Sequence, residues 1–389
     1  MLSYFLPPRI EFGDGTIQNL GEYVKAFDGK KPLLVSDAGV INAGILTKAI
    51  DALDTTGLAH AIYSDIEPNP TDISITNGVE AYKTETCDVV IAVGGGSVMD
   101  AAKAIRLLIT HEPPLEPYYA DVGGLERIRG DMPPLICVPT TAGTGSEVSQ
   151  GAIITDTSLQ TTDRWRKRAI VTPFNMANIA LLDPGITLGM PPALTAATGM
   201  DAITHGIEAY TATKYHPIAE GVALQALKIL SANIQQVYHN GEDVTARGEM
   251  LLGSCMAAFS FQKGLGAVHS LAHQLSTDAP IPHGIANAIL LPPVMAFNFA
   301  HATKKYAEVA RALGIDTTDM DTDEAGNAAI DKIREFNVEL SMPTGLGAAG
   351  LDRKKIPKLG ADAMLDHCHK FNPRECTEAD MVALFEAAY

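Results

Sequence analysis

One carboxylate and several histidines recur at helical spacing between residues 199 and 283. Asp201 and His205 are four residues apart, and so are His269 and His273. Residues four apart lie on one face of an α-helix, so each pair can direct two side chains to one point. A lone pair of this kind is usually an ordinary core or surface pair. Two pairs and a further imidazole, His283, form a ligand set for a divalent first-row metal, and they predict a metal site.

Two glycine-bearing loops follow apolar, strand-like runs in the first half of the chain. Residues 94–97 (GGGS) follow residues 88–93 (DVVIAV), and residues 140–146 (TTAGTGS) follow residues 135–138 (LICV). Glycines at the start of a helix let the backbone approach a pyrophosphate, whose charge lies at the helix N-terminus. GGGS is not the dinucleotide pattern G-x-G-x-x-G, and a tight turn without a ligand would explain it equally well. Both loops together favour a nucleotide site.

Asp37 follows another apolar run, residues 32–36 (PLLVS). A carboxylate at this strand end would bind a ribose hydroxyl and repel a 2′-phosphate, which predicts NAD rather than NADP. A helix or turn cap is the equal alternative for Asp37.

Strand and helix signals alternate as far as Asp183, and long helical segments follow. Strands are predicted at residues 9–12, 32–36, 61–63, 88–93, 135–138, 152–155, 169–171 and 179–182. Helices of the second half are predicted at residues 218–238, 243–261, 285–299 and 323–340. This order predicts an α/β, Rossmann-like domain with a mostly parallel sheet over residues 1–185, followed by an all-α domain over residues 186–389. We expect a ligand cleft between the two domains.

Composition limits the partners of this chain. Its 389 residues suffice for two domains, and a net charge of −17 disfavours nucleic acid and anionic membranes. Five scattered cysteines without a C-x-x-C pair are typical of a reduced, cytoplasmic chain. The first residues lack a signal-peptide pattern, and no apolar run is predicted to reach transmembrane length. We therefore expect a cytoplasmic protein with a small-molecule partner and neither nucleic acid nor membrane.

The chain resembles the iron-dependent (group III) alcohol dehydrogenases over nearly its whole length. Residues 94–105 (GGGSVMDAAKAI) and 139–149 (PTTAGTGSEVS) are similar to the family's phosphate and threonine loops. Residues 189–210 (GMPPALTAATGMDAITHGIEAY), 264–275 (GLGAVHSLAHQL) and 282–292 (PHGIANAILLP) are similar to its metal-site segments. The resemblance implies a dehydroquinate synthase-like architecture, with the metal and the nicotinamide in the cleft between an α/β and a helical domain.

The resemblance also implies roles for individual residues. The metal ligands would be Asp201, His205, His269 and His283, and they would hold Fe²⁺, with Zn²⁺ also suited to the set. His273 would lie near the nicotinamide and the substrate without binding the metal. The NAD-binding positions would be Asp37, Asn69, Gly95, Gly96, Ser97, Asp100, Thr140, Thr141, Thr144 and Lys167. The implied reaction is metal-dependent hydride transfer between a primary alcohol and NAD, and we expect a homodimer.

Two segments bear on the substrate, Lys263 and residues 366–375 (DHCHKFNPRE), and both resemble the 4-hydroxybutyrate dehydrogenase branch of the family. Lys263 stands six residues before His269, a span of about 9 Å on a helix. Lys263, with His367 or Lys370, is therefore predicted to bind the carboxylate of a short ω-hydroxy acid such as 4-hydroxybutyrate, or of succinate semialdehyde. The alternative for Lys263 is a helix C-terminal cap or a solvent-facing position.

Other interpretations stay open at this point. A general short-chain alcohol dehydrogenase, a hydroxyacid–oxoacid transhydrogenase, a glycerol dehydrogenase or dehydroquinate synthase would share the architecture, and a non-catalytic relative would keep only the fold. His367 and His369 suggest a second metal site, which is disfavoured because they would point to different helix faces. Residues 165–168 (WRKR) are interpreted as a solvated loop that contains Lys167.

Overall fold

The computed structural model describes residues 4–6, 8–158, 166–279 and 281–389, and the chain divides into two compact units. The first unit comprises Met1–Thr141 and Gly145–Gly189, and the second comprises Ala142–Thr144 and Met190–Tyr389. The domain boundary predicted from the sequence was at residue 185.

The first unit is built on strands that lie close to the predicted positions. The strands are β1 (Arg9–Phe12), β2 (Pro32–Val35), β3 (Ala61–Tyr63), β4 (Val89–Gly94), β5 (Leu135–Pro139), β6 (Gly151–Asp156), β7 (Arg166–Val171) and β8 (Ile179–Leu182). Its helices are α1 (Leu20–Ala26), α2 (Ala38–Asn42), α3 (Ile45–Asp54), α4 (Asp72–Thr84) and α5 (Gly96–Thr110). Six strands form one parallel sheet in the order β1-β8-β5-β4-β2-β3, and β6 and β7 form an antiparallel pair.

Both faces of the parallel sheet are buried, because successive residues of its strands enter two different apolar cores. On β2, Leu33 and Val35 pack in one core and Leu34 in the other. On β4, Val90 packs in the same core as Leu33, and Ile91 packs in the same core as Leu34. A parallel sheet covered on both faces needs apolar residues at every position, which explains why these strands read as unbroken apolar runs.

The second unit is helical. Its helices are α6 (Pro192–Thr211), α7 (Pro217–His239), α8 (Val244–Ser260), α9 (Ala267–Asp278), α10 (His283–Ala312), α11 (Thr322–Glu339), α12 (Ile356–Ala363) and α13 (Glu378–Ala387). One apolar core joins them, and α6 is buried along most of its length. The predicted fold class, α/β followed by all-α, is confirmed.

Helix α10 contains Pro292 and Pro293, and its backbone leaves helical geometry at Ala302 (φ −138°, ψ 17°), close to the end of the segment predicted at residues 285–299. A proline inside a helix leaves the carbonyl four residues earlier without its usual donor. For Pro292 that carbonyl belongs to Ala288, and Asn337 Nδ2 on α11 donates to it at 2.6 Å. A side chain from a neighbouring helix thus replaces this lost bond, and the helix continues past Pro292 as far as the kink at Ala302.

By length and composition α10 could cross a membrane, which the sequence pattern did not indicate. However, 61% of its apolar stretch is buried inside the protein. This burial is typical of a helix in a protein core.

Candidate metal centre and nucleotide loops

Three helices of the second unit bring the predicted metal ligands together. Asp201 and His205 lie on α6, His269 in the first turn of α9, and His283 at the first position of α10. Asp201 Oδ1 lies 3.8 Å from His205 Nε2, 3.8 Å from His269 Nε2 and 3.6 Å from His283 Nε2. Ligand atoms bound tetrahedrally at about 2.1 Å lie about 3.4 Å apart. The observed distances are slightly longer. The ligand atoms of Asp201, His205 and His269 all lie within 4.8 Å of one another, whereas His283 meets Asp201 but is not part of this group.

The charges of these groups also fit a metal ion. Burial opposes ionisation of Asp201, but His205, His283 and His269 outweigh burial and hold the Asp201 pKa below its ordinary value. Burial holds the pKa of His269 well below its ordinary value. An ionised carboxylate and a neutral imidazole are the forms that bind metals.

Asn287, one turn after His283 on α10, donates to the atoms at the centre of this cluster. Its Nδ2 lies 2.6 Å from Asp201 Oδ1, 3.1 Å from His283 Nε2 and 3.4 Å from His269 Nε2. The amide has two N–H bonds, so it donates to Asp201 Oδ1 and to at most one imidazole nitrogen at a time. The atoms that would bind a cation thus lie around one donor group. Asn287 was not among the predicted site residues, although its i, i+4 spacing from His283 was a signal.

Glu208 is a second residue that the sequence analysis missed. It lies on α6 seven residues after Asp201, is 5% exposed, and its Oε2 is 2.5 Å from His269 Nδ1. Burial raises the pKa of Glu208 to about 7, against the lowering effect of the N–H groups of Val268 and Gly266. Spacings of four and seven from Asp201 put His205 and Glu208 on one helix face, and that pattern was the available signal.

His273 lies beside this cluster and is bound by a different carboxylate. Its Nδ1 lies 2.8 Å from Asp366 Oδ2, and its ring stacks on that of His283 at 5.4 Å. Burial opposes ionisation of Asp366, but His273 and the Cys368 N–H outweigh it and hold the Asp366 pKa well below its ordinary value. Asp366 is thus an anion that accepts from His273. Asp366 lies 93 residues after His273 in the sequence. The only sequence signal for it was its place at the start of residues 366–375.

Besides Asp201, His205 and His269, the described residues contain a second group of potential ligands, His273, Asp366 and Cys368. The pair His367 and His369, disfavoured as a metal site from the sequence, is not part of it. Both oxygens of Asp366 already accept hydrogen bonds, from Ser270 Oγ and Cys368 N on one side and from His273 on the other. Burial also raises the pKa of the Cys368 thiol well above its ordinary value. This group is a hydrogen-bond network rather than a second metal site.

The predicted role of Lys263 as a substrate anchor is wrong. Lys263 is 1% exposed, and its Nζ donates to Tyr210 O at 2.8 Å and to Ala212 O at 2.6 Å, and pairs with Glu220 at 2.9 Å. The ammonium therefore caps the C-terminus of α6. Gly264, with φ +118°, ends the short 3-10 helix Phe261–Lys263, so the continuous helix that the spacing argument assumed does not exist.

In the first unit, the predicted nucleotide loops leave the sheet at one edge. Gly94 on β4 pairs with Pro139 on β5, so residues 95–97 and 140–141 begin side by side. Gly95 precedes α5 without a side-chain cap, and a Cβ on Gly95 would lie 3.5 Å from Thr141 Oγ1. That hydroxyl is buried and has no hydrogen-bond partner in the described part of the chain. An unpaired hydroxyl beside uncapped helix N–H groups fits a bound phosphate.

Other predicted cofactor positions flank these loops. Ser97 Oγ donates to Pro68 O at 2.5 Å, which places Ser97 beside the loop that carries Asn69. Thr140 N donates to Gly94 O at 3.0 Å, and so joins the two strand ends. Asp100 accepts from Ser146 Oγ at 2.5 Å and from Ile153 N at 2.9 Å. Gly96 is the first residue of α5, and Thr144 belongs to the second unit.

Lys167 lies in strand β7, so the interpretation of residues 166–168 as a solvated loop is wrong; Trp165 lies outside the described residues. Burial lowers the pKa of Lys167 to about 8, while Asp100 raises it. The neighbouring Arg168 is buried and pairs with Asp121 and Asp156.

Asp37 caps helix α2, as the alternative interpretation proposed. Its Oδ1 accepts from Val40 N at 3.0 Å. Ser36 Oγ donates to Val93 O at 2.9 Å, so Asp37 lies next to the end of β4. The position is compatible with a ribose contact, and that contact stays a prediction.

Comparison with known proteins identifies the class to which this fold and site belong. Residues 7–184 match the family model described as iron-containing alcohol dehydrogenase, and residues 195–389 match the model of the C-terminal part of the same family. The chain belongs to the iron-containing alcohol dehydrogenase family, and the predicted family is confirmed.

Individual relatives cover the whole chain. It is 38% identical over 392 residues to a 4-hydroxybutyrate dehydrogenase from Cupriavidus necator, with 98% of each protein covered. It is 33% identical over 389 residues to an NAD-dependent methanol dehydrogenase from Bacillus methanolicus, with 100% of each covered. The crystal structure of a 1,3-propanediol oxidoreductase matches it with a TM-score of 0.95 at 35% identity, with 100% of each chain covered. The chain is an NAD-linked, iron-type alcohol dehydrogenase or aldehyde reductase, and the names of its relatives span several alcohols.

Proposed function

We propose that the chain interconverts short primary alcohols and aldehydes with NAD as the hydride carrier, at a metal held by Asp201, His205, His269 and His283. The observation that carries this proposal is the approach of three imidazole nitrogens from three helices to within 3.8 Å of Asp201 Oδ1. A divalent ion bound there supplies Lewis-acid chemistry, which lowers the pKa of an alcohol hydroxyl. Fe²⁺ suits the ligand set, and Zn²⁺ would bind it as well.

His273 and Asp366 supply a proton acceptor beside this centre. Asp366 is ionised and accepts a hydrogen bond at His273 Nδ1, so the proton of a neutral His273 ring stays on Nδ1. Nε2 then has a free lone pair with which to accept a proton. The stacking of His273 on His283 supports a position next to the reacting groups.

The first unit is proposed to bind NAD along the sheet edge formed by the ends of β2, β4 and β5. The pyrophosphate would lie at the N-terminus of α5, near Gly95 and Thr141, and Asp37 would meet the adenosine ribose. The remaining proposed contacts are Asn69, Gly96, Ser97, Asp100, Thr140, Thr144 and Lys167. Support comes from the unpaired, buried hydroxyl of Thr141 and the uncapped start of α5.

Because Lys263 is buried against the end of α6, it no longer supports a substrate that carries a carboxylate. Short neutral alcohols would need no further cation for binding. A short ω-hydroxy acid such as 4-hydroxybutyrate, or succinate semialdehyde, is the second candidate, and the 38% identical relative named 4-hydroxybutyrate dehydrogenase favours it. Its carboxylate would need a partner other than Lys263.

The proposal is tested with protein loaded anaerobically with Fe²⁺ or Zn²⁺ and assayed for NAD⁺ reduction at 340 nm. The substrate panel contains 1-butanol, 1,3-propanediol and 4-hydroxybutyrate. Asp201→Ala should contain no bound metal by elemental analysis and have no activity. The exposed histidine at the end of α7 is the control, so His239→Ala should match the wild type. Stoichiometric metal in Asp201→Ala would refute the ligand assignment.

The same assay separates the alternatives. A transhydrogenase would exchange hydride between a hydroxy acid and an oxo acid without added NAD⁺. A preference for 4-hydroxybutyrate over 1-butanol by kcat/KM would support the hydroxy-acid candidate, and equal use of both would support a general alcohol dehydrogenase.

A further inference from the structure

Glu208 joins two helices that carry metal-site residues. It lies on α6, and both of its carboxylate oxygens are used at the start of α9. Oε1 accepts from Val268 N at 2.7 Å, and Oε2 lies 2.5 Å from His269 Nδ1. The backbone makes room for this contact at Gly266, where a Cβ would lie only 2.7 Å from Glu208 Oε1. The carboxylate is therefore held in one position.

The bond between Glu208 and His269 determines which nitrogen of the ring carries the proton. When Glu208 is ionised, its carboxylate only accepts hydrogen bonds, and His269 then carries on Nδ1 the proton that Oε2 accepts. In a neutral ring this leaves the lone pair on Nε2. That atom lies 3.8 Å from Asp201 Oδ1, on the side where the other proposed ligands converge.

We propose that Glu208 is a positioning residue that fixes His269 in the tautomer whose Nε2 binds the metal, an inference that rests on the proposed metal site. The buried partner also fixes the ring plane, since rotation of His269 would leave Oε2 without a donor. His205 differs in this respect. Its Nδ1 is buried and has no hydrogen-bond partner among the described residues, so no carboxylate selects its tautomer there.

Replacement of Glu208 by glutamine tests the proposal with almost no change of shape. An amide has one accepting oxygen and one donating nitrogen, whereas this site presents two donors, Val268 N–H and His269 Nδ1–H. If the amide oxygen faces Val268, its NH₂ group faces His269 Nδ1 and favours the tautomer with the proton on Nε2. If the amide is reversed, two N–H groups oppose each other at Val268. Either orientation disfavours Nε2 as a ligand or costs a backbone hydrogen bond.

The expected result for Glu208→Gln is Zn²⁺ binding about 10- to 100-fold weaker than in the wild type, measured at pH 8 by competition with a chromogenic chelator. The Co²⁺-loaded variant should also have an altered visible absorption spectrum, because one ligand is displaced. Glu220→Gln is the matched control, since Glu220 lies in the same helical unit and pairs with Lys263 and Lys305 instead of a histidine. Zn²⁺ affinity in this control should equal that of the wild type.

A measurement on the wild type makes the proposal independent of how the variant folds. In apo protein labelled with ¹⁵N at histidine, long-range ¹H–¹⁵N correlation should assign His269 to the tautomer protonated at Nδ1, with the resonance identified by its absence in His269→Ala. Protonation at Nε2 would overturn the proposal. So would wild-type Zn²⁺ affinity in Glu208→Gln, or an equal loss in Glu220→Gln. Failure of the metal site itself is detected separately, because then Asp201→Ala would bind Zn²⁺ like the wild type, and the role of Glu208 would fall with it.

Discussion

Replacement of Lys263 by methionine separates a structural lysine from a substrate anchor. The ammonium lies among Tyr210 O, Ala212 O and Glu220, and methionine keeps a side chain of similar length without the charge. Lys305 Nζ also donates to Tyr210 O at 2.8 Å and pairs with Glu220 at 3.0 Å. Two of the three partners therefore keep a cation in the variant, and Ala212 O loses the Lys263 donor.

The expected loss in free energy of unfolding follows from which partners keep a donor and which do not. A buried carbonyl without its donor costs about 1–3 kcal/mol, and the lost pairing with the partly exposed Glu220 adds less than about 1 kcal/mol. Methionine offsets part of this cost, because the variant no longer buries an ammonium. A net loss of about 2 kcal/mol corresponds to a decrease in Tm of about 4–8 °C for a unit of this size.

The assay combines thermal unfolding with kinetics on two substrates. We expect Lys263→Met to lower Tm by this amount and to leave the ratio of kcat/KM for 4-hydroxybutyrate to that for 1-butanol within about twofold of the wild type. The exposed lysine Lys304 on α10 supplies the control, and Lys304→Met should change Tm by less than about 1 °C. A selective loss for the acid at unchanged Tm would refute the structural role and restore Lys263 as an anchor.

Three other predictions follow from the contacts. Asp37→Asn keeps an oxygen that can cap α2 but removes the charge, so kcat/KM for NADP relative to NAD should rise about tenfold or more; an unchanged ratio would place Asp37 away from the ribose. Asp366→Asn should keep one metal by elemental analysis and lower kcat by about 10²-fold, because His273 loses its anionic partner, and loss of the metal would contradict this. Burial raises the pKa of Glu147 to about 7, so stability present below the ordinary pKa is lost as pH rises through 7. Wild-type protein should lose about 1 kcal/mol more than Glu147→Gln between pH 6 and 8.5, and parallel Tm profiles would exclude this cause.

The strands of the first unit could be predicted from the sequence because each buried strand is an unbroken run of apolar residues. Residues 88–93 predicted β4 within one residue at each end, since both faces of that strand are covered. The i, i+4 spacing of Asp201 and His205 likewise predicted a shared helix face, and both lie on α6. In each case the signal lies within one turn or one strand.

Errors arose where the deciding partner is distant in sequence. Lys263 bonds to Tyr210 and Ala212, about fifty residues earlier, and nothing in the KGLG segment identifies these carbonyls. Helix α10 passes Pro292 because Asn337, 49 residues beyond Ala288, supplies the missing donor to the Ala288 carbonyl. Local spacing carries no information about such contacts.

The parallel pairing of β1 with β8 has a consequence for the synthesis of this protein. Arg9 pairs with Ile179 and Phe12 with Leu182, so the sheet gains its outer strand only after some 170 further residues have been made. At about 5–20 residues per second, the first strand exists for roughly 8–35 s before its partner is available. Its edge carries Arg9 and Glu11, an ion pair that discourages pairing with other nascent chains during this interval. The first strand of the protein is thus among the last to find its place in the sheet.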